Sequence, residues 1–296
     1  MKHRVSFLTV LLSALVAFGV VRFMEPASIV VPTAEAKESA FDRMMRTNKL
    51  RCGYYLFPPV AMRDPNTGEM SGLTVDMMNV IAEKTGLEIE WAEESTFGNW
   101  IPALQAGRYD AMCAPMWPDM ALAREVIFTR PLYYAALAPL VREDDTRFDG
   151  PEGLAKLNSP EITIVAQDGN TILHLAKKAF PKAKIMTLAA NVDGPSVVQN
   201  VVTKKADALI LDRNGLMEYN KRGFYLKMIH PESPVKGQPF VLPLQHKETE
   251  LREFLDNAIM DLLDSGTMAR LLDKWEAEPG KTFMRVAVPY ENGFKN

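Results

Sequence analysis

Asp212 closes the apolar run ADALILD (206–212). A carboxylate at the carboxyl end of a buried parallel strand faces the crevice of an open α/β sheet, where it can hold a cation. The competing role is an N-cap for the segment starting near Asn214. A second stretch, DGNT (168–171), follows the strand-like EITIVAQ and opens a helical pattern. Its backbone N–H groups at Gly169, Asn170 and Thr171, helped by the helix dipole, suit an anionic group. A third stretch, CAPMWPDMALAREVIFTRPLYY (113–134), leaves an apolar strand, crosses a Trp-Pro pair and ends in Pro-Leu-Tyr-Tyr. Its one open question is whether it delivers Arg124 to a carboxylate. The two cysteines, Cys52 and Cys113, and the four scattered histidines lack metal-ligand spacing. No metal and no other cofactor is expected.

The elements that must position these groups alternate. KLRCGYY (49–55) reads as a strand ending at a Phe-Pro-Pro turn, and RDPNTGEMSG as a hairpin. LTVDMMNVIAEKTG puts Leu73, Met77, Val80 and Ile81 on one helical face and stops at Gly86. LEIEWAEE is a strand, NWIPALQAG a short helix and RYDAMCAPM (108–116) another buried strand. Strands at 161–167, KAKIMTL and ADALILD alternate with helices in the middle of the chain. ETELREFLDNAIMDLLDSGTMARLLDKW is two amphipathic helices split at Ser265-Gly266. Strand–helix alternation of this kind predicts α/β units with parallel sheets. Two such units are joined near residues 132–143 and again near 237–245. The expected division is lobe one over 37–137, lobe two over 138–240, and a return to lobe one with a tail over 241–296.

Composition narrows the partners. The chain is 47% hydrophobic and 24% charged with a net charge of −3, and it has no basic run of nucleic-acid type. The N-terminus combines basic MKHR, the apolar VSFLTVLLSALVAFGVV and a small-residue AEA before Lys37. That pattern is a Sec-type export signal over residues 1–36, with an uncleaved anchor at residues 5–21 as the alternative. No other stretch could span a membrane.

Several pieces in order resemble the bacterial family 3 extracellular solute-binding proteins. They are LRCGYYLFPPV, GEMSGLTVDMMNVIAEKTGL, FGNWIPALQAGRYDAM, VIFTRPLYY, VAQDGNT, KADALILD and DSGTMARLLDKW, spanning about residues 40–278. The resemblance implies a two-lobe periplasmic binding protein type II fold, each lobe a doubly wound sheet, with two hinge crossings. It implies a ligand cleft with Phe57 before the first Pro turn and Phe97 facing it, and Asp212 taking an ammonium. The family's Gly is followed by Thr or Ser, whereas here Asn170 separates Gly169 from Thr171.

The loop after Cys113 departs from the family. Aligned on Met116 and Phe128, Leu122 occupies the place of the arginine that clamps an α-carboxylate, and Trp117 the place of a Thr hydroxyl. Tyr54 stands where some members carry an acid. Arg124 comes two residues late, about 200° round a helix, and reads as a solvated surface charge. An aromatic box of Tyr54, Phe57, Phe97 and Trp117 with Asp212 opposite suits an amine or quaternary ammonium. A small aromatic acid held at the Gly169 turn is the alternative. Trp100, at helical spacing, reads as core. In family strand order Cys52 and Cys113 fall on neighbouring strands. Because direct bridges between adjacent strands strain easily, the expectation is two nearby free thiols.

The functional expectation is a monomeric, non-enzymatic periplasmic receptor that closes on a small molecule and serves an ABC permease in the inner membrane. The alternatives are an accessory or sensor role beside another periplasmic or membrane partner, with GKTFMRVAVPYENGFKN as docking strand or as a segment packed on lobe one, and a cyclohexadienyl-dehydratase-like enzyme. An enzyme would draw on Asp212, Asp119 or Asp168 as acid or base.

Overall fold

The computed structural model describes residues 38–96, 98–118, 120, 122–168, 171–276 and 282–287. The leader at 1–36, with its apolar run, lies outside the described residues. Among the described residues no helix is long and apolar enough to cross a membrane.

Lobe one is built on a five-stranded sheet ordered β4-β1-β5-β13-β6, with β1 at Lys49–Tyr54, β4 at Glu88–Glu94, β5 at Ala111–Met112, β6 at Val126–Phe128 and β13 at Pro243–Gln245. β1 runs parallel to β4 and β5, and β13 antiparallel to β5 and β6. The last strand therefore comes from the far end of the chain. A hairpin of β2 (Met62–Arg63) and β3 (Met70–Ser71) follows the Phe57 turn. The helix Leu73–Thr85 ends at Gly86, whose φ of 73° and N–H donation to the Ala82 carbonyl make a left-handed C-cap. At its other end Gly72 has φ 127°, and a Cβ there would meet the Val60 carbonyl at 2.6 Å. Only glycine lets the helix start against the loop at Pro59 and Val60.

The helices Thr249–Asp264 and Thr267–Trp275 pack back on lobe one. Leu251, Leu255, Ile259 and Leu272 join Leu50, Met77 and Ile81 in one buried cluster. Asp76 accepts from Lys274 Nζ and from Trp275 Nε1, each at 2.7 Å.

Lobe two carries β8 (Thr163–Gln167) paired in parallel with β9 (Lys184–Leu188). An Ile164–Ala208 bridge carries that sheet towards β10 (Leu209–Leu211). β10 and β11 (Leu226–Met228) both pair antiparallel with the far half of β7 (Tyr133–Arg142). The near half of β7 pairs with β12 (Lys236–Phe240) and with β14 (Phe283–Met284). β7 thus runs from one lobe into the other, and β12 runs back beside it. The C-terminal stretch supplies a third hinge strand, and Arg285 bonds Glu276 at 2.7 Å to hold it.

The cysteine expectation needs correction: Cys52 and Cys113 form a disulfide, with Cα atoms 5.3 Å apart. β5 stops at Met112, and Cys113 lies just past the strand, its N–H donating to the Gly53 carbonyl at 2.9 Å. The pair is not opposed in a ladder, so the strain expected of a direct cross-strand bridge does not apply. The separation falls within the range a disulfide spans.

Candidate functional site

The loop from Cys113 to Pro118 is held at both ends. The Thr74 hydroxyl donates to the Cys113 carbonyl at 2.6 Å. Met116 and Val241 exchange two backbone hydrogen bonds of 2.8 and 3.0 Å, tying the loop to the second hinge crossing. Trp117 follows at once, and its ring meets Phe240 edge-on with centroids 5.9 Å apart. Its indole packs against the buried clusters of both lobes. Phe240 stacks on Tyr133 at 4.7 Å, and Tyr133 contacts Phe283 at 4.9 Å. Trp117, Phe240, Tyr133 and Phe283 therefore form one continuous chain of ring contacts at the hinge.

Asp212 closes β10 and is 5% exposed. Its Oδ1 accepts from the Gly215 N–H at 2.7 Å, capping the helix Arg213–Lys221. Burial raises its carboxyl above the usual range, partly offset by the Gly215 bond. Among the described residues no Lys or Arg pairs with it. Two phenols feel its charge. Tyr55 donates to the Pro115 carbonyl at 2.7 Å, and its hydroxyl is pushed up by burial and then by Asp212. Tyr133 is raised by burial, then by Tyr55 and Asp212. Asn214, buried as the second residue of the same helix, donates to the Pro58 carbonyl at 3.3 Å. Lobe two thus touches the Phe57–Pro58–Pro59 turn of lobe one directly.

The arrangement is a packed group of rings at the hinge with one desolvated carboxylate close to Tyr55 and Tyr133. Such a carboxylate gains most from a ligand that carries positive charge. The sequence profile of the bacterial extracellular solute-binding proteins, family 3, matches residues 50–278. The chain belongs to this family. Among relatives, a probable amino-acid ABC transporter periplasmic-binding protein of Sinorhizobium fredii is 25% identical over 224 residues, 72% of each chain. Cyclohexadienyl dehydratase of Pseudomonas aeruginosa is 22% identical over 255 residues, covering 84% of this chain and 90% of that one. A solved ancestral amino acid-binding protein, described as a precursor of cyclohexadienyl dehydratase, superposes with a TM-score of 0.64 at 27% identity over 80% of this chain and 99% of that one. The two-lobe type II binding-protein fold is thereby established. Most of these relatives are binding proteins and one is an enzyme.

Within this family 3 protein, Trp117 packs against the buried clusters of both lobes and Asp212 is a buried helix cap. Phe57 is half-buried, its centroid 6.5 Å from that of Tyr55. Tyr54 lies elsewhere: it is buried in the lobe-one core, edge-on to Trp91 at 5.9 Å. Its neighbour Tyr55 points to the other side of the chain and is the phenol that comes within reach of Asp212. Thr171 is the first residue of the helix Thr171–Ala179. Phe97, Gly169, Asn170 and Asp119 lie outside the described residues. Asp168 is exposed. Leu122 packs on the lobe-one core and Arg124 is exposed at the end of a 3-10 turn. Trp100 is core, as its spacing suggests. Sequence reasoning overlooked Tyr55, Tyr133, Asn214 and Gln238. The signal for the last was present, as a polar side chain immediately before the apolar PFVLPL.

Proposed function

We propose that this protein is a periplasmic receptor for a small ligand bearing a cationic nitrogen, and that it delivers the ligand to an ABC importer. The observation that carries this reading is Asp212, buried, held above its usual protonation range, and faced by Tyr55 and Tyr133. An ammonium there replaces the solvation the carboxylate has lost, and aromatic faces add cation–π attraction. The exposed position of Arg124 and the core packing of Leu122 argue against the guanidinium clamp that a plain α-amino acid would use. Contacts from both lobes, such as Asn214 to Pro58, form only on closure, so ligand binding draws the population towards the closed form. The test is a thermal-shift screen in which amines and quaternary ammonium compounds stabilise the protein more than free Arg, Gln or Glu. A clear win for the ordinary amino acids overturns the reading.

The relation to cyclohexadienyl dehydratase supports a second reading, since a buried carboxyl of raised affinity for protons is suited to general-acid work. Turnover of a cyclohexadienyl acid by the purified protein, abolished in Asp212→Asn, would establish it over binding alone.

A further inference from the structure

The inner face of the hinge carries two polar side chains that the cleft chemistry above does not use. β7 and β12 run antiparallel with Phe240 opposite Tyr133 and Gln238 opposite Ala135. Side chains two apart on a strand share a face, so Tyr133, Ala135, Gln238 and Phe240 all point the same way. On that face Tyr133, Ala135 and Phe240 join the buried cluster against which the half-buried Phe57 and Trp117 pack, and Tyr133 feels the charges of Tyr55 and Asp212. Gln238 and Tyr133 are each 1% exposed. Among the described residues the Tyr133 hydroxyl and both amide atoms of Gln238 find no hydrogen-bond partner. The Tyr133 ring is wedged between Phe240 and Phe283 and cannot turn its hydroxyl away. Buried polar atoms without partners are rare, because each carries the full cost of its lost hydration. Phe and Leu would pack here without that cost.

We propose that Tyr133 and Gln238 form a hinge subsite that recognises a neutral group able both to donate and to accept hydrogen bonds, a carboxamide or a hydroxyl, on the ligand held at Asp212. The inference rests on the reading of the cleft as the solute site and specifies what occupies its floor. The glutamine amide presents a carbonyl acceptor and an NH₂ donor, and the phenol one of each. A carboxamide or hydroxyl satisfies both kinds. A carboxylate only accepts, which leaves the Gln238 carbonyl unmatched and sets a second negative charge near Asp212. An alkyl end satisfies neither. The subsite thus selects by leaving the wrong ligand's partners unpaired, the mechanism that discriminates most sharply in buried sites.

Calorimetric titration of the full chain with four probes of one length tests this: 5-aminopentanamide, 5-amino-1-pentanol, n-pentylamine and 5-aminopentanoate. The first two are expected to bind about tenfold more tightly than the others, the worth of one net hydrogen bond. In Gln238→Leu and Tyr133→Phe that advantage over n-pentylamine falls to within about twofold. Equal affinity for all four, or a preference that survives both substitutions, overturns the subsite and leaves the amine reading intact. Failure of all four to bind overturns the amine reading. The subsite is then decided without ligand by small-angle scattering. Ligand-free Gln238→Leu is expected to be more compact than the parent, because closure no longer buries an unmatched amide. An unchanged radius of gyration overturns the subsite.

Discussion

Replacing Asp212 with Asn separates the two roles of this residue. The Asn oxygen still accepts from the Gly215 N–H, and Asn and Asp cap helices about equally well, whereas Ala costs about 1 kcal/mol. The charge is what disappears. Burial raises the Asp212 pKa above 3.8, so the folded protein holds this proton more tightly than the unfolded chain. A group shifted this way contributes stability that is complete below the unfolded value and is lost as pH rises through the folded one. At pH 7 the ionised carboxylate is therefore a net cost in the absence of ligand. Asp212→Asn should be at least as stable as the parent at pH 7, and the difference should close below about pH 4. Asp212→Ala should be less stable than Asp212→Asn by about 1 kcal/mol at either pH. Binding of a cationic ligand should fall roughly 10- to 150-fold in Asp212→Asn, the equivalent of about 1.5–3 kcal/mol for a charge-assisted hydrogen bond. Urea unfolding from pH 3 to 8 with parallel calorimetry measures both. If Asp212→Asn loses as much stability as Asp212→Ala at pH 7, or binds the cation undiminished, the argument from desolvation is refuted.

Further expectations concern the framework. The protein, denatured without reductant, should show no thiol towards a chromogenic disulfide reagent. Replacing both cysteines with Ser should cost about 4 kcal/mol, from the loop entropy of a 61-residue separation, measured by urea unfolding. Asp145, held below its usual range by hydrogen bonding to Arg147 and by Arg142, contributes stability that is present above 3.8 and lost as pH falls through its depressed value. Asp145→Asn should therefore flatten the acid limb of the stability profile. Trp117→Ala, which removes a ring packed on both lobes, should lower stability by about 2 kcal/mol and weaken ligand binding, read by melting and titration. Phe283→Ala should cost about 3 kcal/mol, because a buried ring beside Tyr133 leaves a cavity.

Much of the framework is legible in the sequence because local signals agree. The helix at Leu73–Thr85 has its apolar face, its glycine stop and its hairpin lead-in, and each is found where the pattern puts it. The split at Ser265-Gly266 is likewise a left-handed glycine, with φ 67°, between two helices. RYDAMCAPM shows the limit. Its apolar run reads as nine strand residues, yet the continuous strand is only Ala111–Met112 and pairing resumes as a single bridge from Met116 to Val241, with partners that arrive from more than a hundred residues away. That same ending decides the state of Cys113, which no local pattern reports. The site is legible where one residue acts at a strand end, as with Asp212. It is not where two adjacent tyrosines point to opposite sides and no local pattern says which one turns towards Asp212, as with Tyr54 and Tyr55, or where two strands must be laid side by side before Tyr133 and Gln238 meet.

β14 lies beyond residue 278, where the resemblance to the family stops, yet it occupies one flank of β7 while β12 occupies the other. Tyr134 and Ala135 are consequently braced from both sides, and any swing of the lobes has to flex a ribbon three strands wide. A polypeptide trimmed to the shared family length would keep Asp212, Tyr55 and Tyr133, lose Phe283 from beside Tyr133, and swing on a softer spring.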